Sequence, residues 1–257
     1  MVGVDKLREF LGEFKSNYVV IGGTACNLNL EEADLQGRAT KDIDMIVVCE
    51  AITLEYVKRF WEFIYAGGYS LWQVKNNDED KKCFYRFVEP ADKSFPAYIE
   101  LFSRVPDSIE LPEDAHIVHI PMEEYLSSFS AILMDDDYYT YAIQHTREIE
   151  GVQVLDKDAL IVLKAKAFLN NLQRKQAGQT VHQDDIDKHK KDIYRMAYLL
   201  AADERFEVSE TIKSDLRLFL LSLKDNPINT KAISKFMNLS ELLLTDFEEL
   251  LIEVFQL

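Results

Sequence analysis

Residues 18–48, YVVIGGTACNLNLEEADLQGRATKDIDMIVV, constrain the chain more than any other stretch. They read as an apolar strand, a glycine turn, a short helix, a polar loop, and a second strand that opens on Asp42 and Asp44. In a strand, residues i and i+2 face one side, so both carboxylates project together from the start of Met45-Ile46-Val47-Val48. A core strand has no structural use for such a pair, and like charges that close repel unless a cation sits between them. The pattern points to Mg²⁺ held against a nucleotide phosphate. Gly22-Gly23 lets the backbone pass close to a ligand. The helix that follows, with Thr24 as its expected cap, offers free N–H groups to a phosphate. Glycine turns of this kind serve geometry more often than ligands, and this one gains its meaning from the aspartates.

Around that stretch, apolar spacing sets out the rest. Val4, Leu7, Phe10, Leu11 and Phe14 predict a helix over 4–15. Thr53 caps a second helix over 54–66, ended by Gly67-Gly68, with Leu54, Val57, Phe60, Trp61 and Ile64 inward. Strands are expected at 69–74 and 83–87, joined by a polar turn at 76–80, and again at 97–102. Glu100 is the one charge in that last strand. It reads either as an edge-strand residue facing water or as a third carboxylate beside the aspartates. A short strand over 116–120 carries His116 and His119, read as ordinary surface residues. Asp135-Asp136-Asp137 reads as a helix cap or a solvated turn. From about residue 156 the texture is helical, with helices around 160–168 and 193–200, then 208–223, 230–237 (capped by Asn229 or Thr230) and 240–255. The fold class is α+β: a mixed sheet with flanking helices, followed by a C-terminal helical half. The expected division is 1–150 for the α/β core and 151–257 for the helical domain, with no flexible linker between them.

Composition limits what such a chain can do. With 47% hydrophobic residues, 15 Phe and 12 Tyr in 257 residues, it can bury a sizeable core and is not globally disordered. A net charge of −16 argues against broad non-specific binding to nucleic acid, leaving only a local basic groove open. Cys26, Cys49 and Cys83 are odd in number and lack metal-type spacing, which suits reduced thiols in a cytoplasmic protein. The N-terminal helix is charged throughout, unlike a signal peptide. No apolar run approaches the ~20 residues of a membrane span, so no membrane partner is expected. Against the acidic background, Lys164, Lys166, Arg174, Lys175, Lys188, Lys190, Lys191 and Arg195 gather within 164–195. Lys164 and Lys166 are two apart and do not share a helix face, so at most one points at a site. The group is either a solvated face or a set of lysines clamping a triphosphate. Asp192 either orients one of them or caps its helix.

The Gly-Gly turn, RATKDID and IEL together resemble the nucleotidyltransferase superfamily of DNA polymerase β. VLDKDALIVLKAKAFLNNLQRK followed by DIDKHKKDIYRM narrows this, for it resembles the AbiEii/AbiGii-type toxin nucleotidyltransferases. The resemblance covers roughly residues 16–200. It implies a nucleotidyltransferase-type sheet and a helical half that completes a nucleotide cleft. Gly22, Gly23 and Thr24 match the phosphate-contacting turn, and Asp42 and Asp44 match the metal ligands. Glu100 matches the third carboxylate, Lys164 the nucleotide-binding lysine, and Lys188 and Asp192 the later Lys-Asp helix, with Lys190 as a further cation. The resemblance also implies two Mg²⁺ ions, an NTP substrate, an acceptor that is tRNA or protein, and a cognate antitoxin as partner. This sequence departs from the pattern in a long spacer between Gly23 and Asp42, in Glu rather than Asp at position 100, and in His189 where many relatives carry an acid. Two other functions stay open: a transferase acting on a small molecule such as an antibiotic, and a catalytically silent protein-binding module. Residues 205–257 carry no chemistry that can be read from sequence.

Overall fold

The computed structural model describes residues 3–76, 79–104, 117–119 and 130–257. In chain order the elements begin with α1 (Val4–Leu11), a 3₁₀ turn (Lys15–Asn17), β1 (Tyr18–Ile21), α2 (Gly22–Glu32), β2 (Asp42–Val47) and α3 (Leu54–Gly67). There follow β3 (Ser70–Asn76), β4 (Glu79–Val88), β5 (Tyr98–Ser103), β6 (Ile117–His119), β7 (Ser130–Leu133), α4 (Asp136–Gln144), β8 (Thr146–Ile149) and β9 (Val152–Leu155). The chain ends with α5 (Lys157–Gln176), α6 (Gln183–Ala197), α7 (Glu210–Ser222), α8 (Thr230–Phe236) and α9 (Leu244–Phe255). This is an α+β fold with a mixed sheet and a helical C-terminal half.

The residues fall into two compact units. The first comprises Met1–Ala25, Ala39–Tyr139 and Thr146–Leu155; the second comprises Cys26–Arg38, Thr140–His145 and Asp156–Leu257.

The first unit carries a nine-stranded sheet in the order β3-β4-β5-β2-β1-β9-β8, with β7 pairing both β5 and β6. β1 is buried along its whole length, which suits four apolar residues flanked by antiparallel β2 and parallel β9. β2 alternates at its start: Asp42 is exposed, Ile43 buried, Asp44 half-buried. β5 alternates throughout, with Ile99, Leu101 and Ser103 buried. It lies between β2 and β4, so Glu100 is not on an edge strand. Thr53 caps α3 by accepting from the Tyr56 N–H at 3.2 Å, and Gly68 closes it in the left-handed conformation at φ 64°. The buried face of α3 is turned from the expected one. Tyr56, Val57, Phe60, Phe63 and Ile64 are inside, whereas Leu54 is 38% exposed and Trp61 only partly covered. Aromatic packing accounts for the rotation, since Phe60 meets Phe87 at 5.6 Å and Phe63 meets Phe95 at 5.3 Å between ring centroids. α1 stops at Leu11, earlier than predicted, and leaves Phe10 and Phe14 half-buried.

Two further local expectations change. α2 starts at Gly22 and runs to Glu32, so Thr24 lies inside the first turn and is not its cap. Gly22, at φ +70°, turns strand into helix with no intervening residue, and the Thr24 hydroxyl instead donates to the Asp42 carbonyl at 2.6 Å. Residues 146–155 form the hairpin β8–β9, which the sequence reading did not anticipate. Its turn is made by Glu150 at φ 51° and Gly151 at φ 80°. Asp135 accepts from the Asp137 N–H at 3.1 Å at the start of α4, as a cap does. Asn77 and Asp78 of the β3–β4 tip lie outside the described residues, as does His116.

In the second unit α5 packs on α6 and α7. Asp156, Ser209 and Asn229 cap α5, α7 and α8 with their side-chain oxygens. Phe168 meets Phe219 edge-on at 5.4 Å, and Tyr194 meets Phe247 at 5.4 Å. Burying each such ring contributes about 1.5–3 kcal/mol. Among the described residues, no helix is long and apolar enough to cross a membrane.

Candidate active site

The register of β2 against its neighbours places the acidic residues together. Asp44 pairs with Glu100 across β2–β5, and Asp42 pairs with Tyr98 one step earlier. Directly paired residues on adjacent strands share a face. Asp42 lies two residues from Asp44 on the same strand, so Asp42, Asp44 and Glu100 occupy one side of the sheet. That side is the open one, for Ile43, Met45, Ile99 and Leu101 fill the opposite, buried side.

The glycine turn sits against this face. β1 pairs Ile21 with Asp44, and Gly22 comes next. A Cβ at Gly22 would stand 2.2 Å from Asp44 Oδ2, so only glycine leaves room for the carboxylate. The positive φ at Gly22 makes the same demand independently. Gly22, Gly23 and Thr24 thus form the first turn of α2, beside Asp44 and tied to the Asp42 carbonyl.

Glu100 is held by its own row. Arg86 faces it across β4–β5, and Arg86 Nε donates to Glu100 Oε1. The Tyr98 hydroxyl donates to the same oxygen at 3.2 Å. Burial works against the Arg86 charge, but the Glu100 carboxylate outweighs it and holds the guanidinium above its ordinary pKa. Burial, aided by the Glu100 charge, pushes the Tyr98 phenol up. Among the described residues no three His, Cys, Asp or Glu side chains are gathered as they stand to hold a metal ion. The donor set still suits a hard divalent cation: three carboxylates share one face, beside a turn shaped around one of them.

The predicted cations lie in the second unit, and they separate. Lys164 is buried on α5 and donates to Asp192 Oδ2 at 3.0 Å. Lys166 points elsewhere, to Asp215 at 2.7 Å, as the helix period requires. Arg195 NH1 reaches Asp192 Oδ1 at 2.8 Å, and Arg38 Nε reaches it at 3.2 Å. Three cations therefore gather on one carboxylate that is only 1% exposed. Burial alone would raise the Asp192 pKa, but Lys164 and Arg38 hold it below the usual carboxylate range. The Cys26 thiol, pushed up to about 12 by burial, is uncharged at neutral pH and leaves the charge balance alone. Burial, then the charges of Lys164 and Lys188, push the His189 imidazole down to about 3, so it too is neutral. Lys188 pairs with Asp185 at 2.8 Å, and Lys190 with Asp187 at 2.9 Å and the Asn226 carbonyl at 3.3 Å.

Arg38 reaches Asp192 because its loop is pressed onto α2. The Asn27 side-chain amide donates to the Arg38 carbonyl, and Gly37 passes where a Cβ would meet Asn27 Oδ1 at 2.2 Å. Arg86 was not predicted as a site residue, Arg195 was named only within the basic group of 164–195, and Arg38, just before the aspartates, reads equally as a solvated loop residue or as part of the site. For Arg86 a signal existed, a single charge inside the apolar run Phe84-Tyr85-Arg86-Phe87, the same signal that marked Glu100.

No family model matches the chain. No curated protein matches it either. Among solved structures, it is similar to the polyadenylate synthase of Megavirus over 86% of this chain and 36% of that one, at 12% identity and a TM-score of 0.38. It is also similar to JHP933 from Helicobacter pylori over 98% of this chain and 85% of that one, at 14% identity and a TM-score of 0.39. The chain thus spans little more than a third of the length of the polyadenylate synthase.

Proposed function

We propose that this chain is a nucleotidyltransferase that moves NMP from an NTP to an acceptor. The observation that carries the reading is the register pairing of Asp44 with Glu100, on the face that also bears Asp42 and against a glycine turn built around the Asp44 carboxylate. Asp42, Asp44 and Glu100 would hold Mg²⁺, and two such ions, when bound, supply charge stabilisation to the attacking and leaving oxygens. Glu100 accepts the proton of the acceptor hydroxyl. The acceptor oxygen then forms a bond to the α-phosphorus, the α–β phosphoanhydride bond breaks, and pyrophosphate leaves with the electron pair. Gly22 and Gly23 open α2, whose first-turn amides lack helical partners and can receive phosphate oxygens. Lys164, oriented by Asp192, is assigned to the nucleotide's charge. Lys188 and Lys190 are assigned secondary parts in it, given the acids they already serve.

For the acceptor we infer tRNA or a protein, in a toxin-like role neutralised by a cognate antitoxin, on the strength of the resemblance in the lysine-bearing helices. Incubation with each labelled NTP and Mg²⁺, with total tRNA and with a panel of aminoglycosides and lincosamides, tests this. Label in tRNA supports the reading; label in an antibiotic supports the small-molecule alternative. Asp44→Asn should lower transfer at least about a thousandfold, because the carboxylate supplies several kcal/mol of charge stabilisation. Full transfer by that variant sinks the site assignment. The engagement of Glu100 with Arg86 favours one competing reading, a silent binding module. Absence of Mg²⁺-NTP binding by calorimetry would promote it.

A further inference from the structure

The Glu100 side chain, on the carboxylate face, is committed to a cation of the protein's own, Arg86. The pairings β4–β5 and β5–β2 line up Arg86, Glu100 and Asp44 in a single row across three strands. Arg86 is 34% exposed and Glu100 14% exposed, so the pair sits at the margin of solvent, where an exchange of partners needs no opening of the core. Glu100 Oε1 accepts from both Arg86 and Tyr98, which engages both of its lone pairs. A divalent cation that takes Glu100 through that oxygen, or through both carboxylate oxygens, must contend with the guanidinium. Asp42, Asp44 and Glu100 share one face, and Arg86 offsets the charge of Glu100 there.

Resting on the proposed metal-dependent function, we propose that Arg86 is the resident counter-ion of this site. It holds Glu100 when no divalent cation is bound, and it competes with the cation for that carboxylate. Arg86 is a positioning residue, acting on the reaction only through Glu100. Its grip lowers the apparent cation affinity by the fraction of time that Glu100 is unavailable. It also keeps Glu100 from serving as a base before the cation arrives. A merely structural Arg86, tying β4 to β5, would affect folding and leave cation affinity alone.

Mn²⁺ binding to the full chain, read from the loss of the free-ion paramagnetic resonance signal, separates these roles without any turnover. If Glu100 is released about a tenth of the time, Arg86→Gln should bind Mn²⁺ about tenfold more tightly than wild type. Arg86→Lys should fall between them. Removing any positive charge tightens cation binding somewhat, so the decisive comparison is made in a Glu100→Gln background. There Arg86→Gln should tighten binding by only the small general charge effect, far short of tenfold, because the carboxylate through which it acts is gone. Tightening that survives undiminished in that background overturns the inference, as does an Arg86→Gln affinity equal to or weaker than wild type. Arg86→Lys keeps the test open should Arg86→Gln fail to fold: an affinity no tighter than wild type then overturns the inference. Asp44→Asn is titrated alongside. If wild type binds no Mn²⁺, or Asp44→Asn binds as well as wild type, the site reading falls and the inference with it. If Asp44→Asn loses binding while the Arg86 variants match wild type, the inference falls alone.

Discussion

The carboxylate face of the first unit and the Asp192 cluster of the second both concentrate charge, and they do so under opposite conditions. On β2 and β5 the charges are alike and at least partly in reach of water: Asp42 is exposed, and Asp44 and Glu100 are half-buried. On α5 and α6 the charges are opposite and buried, with Asp192 at 1% exposure and Lys164 at 7%. Water solvates like charges at a sheet surface, so gathering them there costs little stability and leaves them available for chemistry. Buried charge has no such solvent and persists only when paired and hydrogen-bonded. The same residue type, aspartate, thus stands solvated among like charges in one unit and buried among opposite charges in the other.

The strongest way to break this contrast is to neutralise one aspartate in each unit and compare stabilities. Asp192→Asn keeps the shape but leaves Lys164 and Arg195 buried against a neutral amide. Breaking a buried pair in this way costs about 3–5 kcal/mol. Asp44→Asn removes one of several like charges from a half-exposed face and should change stability by only about 0.5 kcal/mol. Denaturant unfolding of both variants makes the comparison. Equal losses would show that the carboxylate face is structural after all.

A smaller effect sharpens the first half of the contrast. Gly22→Ala forces an L-residue into the left-handed region at φ +70°, at about 1–2 kcal/mol, and drives its Cβ to 2.2 Å from Asp44 Oδ2. The first cost belongs to the backbone and the second to the carboxylate. In an Asp44→Ala background only the backbone cost should remain, so the two substitutions should be strongly non-additive. Simple additivity, measured by the same unfolding curves, would mean that the turn is not shaped around Asp44.

How far these features could be read in advance differs between the units, for physical reasons. Asp42, Asp44 and Glu100 stood out because a charge inside an apolar strand is conspicuous, and the strand period alone puts the aspartates on one face. Arg86 bore the same mark, but its meaning depends on the β4–β5 register, which no local pattern gives. The pairing of Lys164 with Asp192 was foreseen only as one option. For Arg38 the sequence leaves a site role and a solvated loop equally open, and its meeting with Asp192 was out of reach, because they lie 154 positions apart and loops carry no periodicity. The hairpin β8–β9 was missed because TREI and VQVL are four-residue strands with polar members. What secures β9 is a parallel pairing with β1, distant in sequence. The caps Thr53 and Asn229 were legible, since each acts on a backbone group three residues away, whereas Thr24, the expected cap of α2, falls inside that helix.

The second half of the contrast can be tested through pH, where the effect is absent at neutral pH and grows only on acidification. His189 lies on α6 with its Nδ1 buried and without a hydrogen-bond partner among the described residues. Burial and the nearby lysine charges hold its pKa near 3, against 6.5 for a free imidazole. Between those two values the unfolded chain binds the proton and the folded chain refuses it, so stability rises with pH across that window. The contribution is fully present above about 6.5 and is lost as pH falls toward 3, with a slope of at most about 1.4 kcal/mol per pH unit. Asp192 titrates too, but its depressed pKa places its own loss below the unfolded carboxylate value near ~3.9, so from pH ~6.5 to ~4 His189 acts without it. His189→Gln cannot take up the proton and should flatten the dependence of unfolding free energy on pH in that upper window. A slope unchanged in the variant would mean that the imidazole is charged or solvated when folded. A cluster of three cations would then tolerate a fourth, and the distinction between the buried charges and the exposed ones would lose its physical basis.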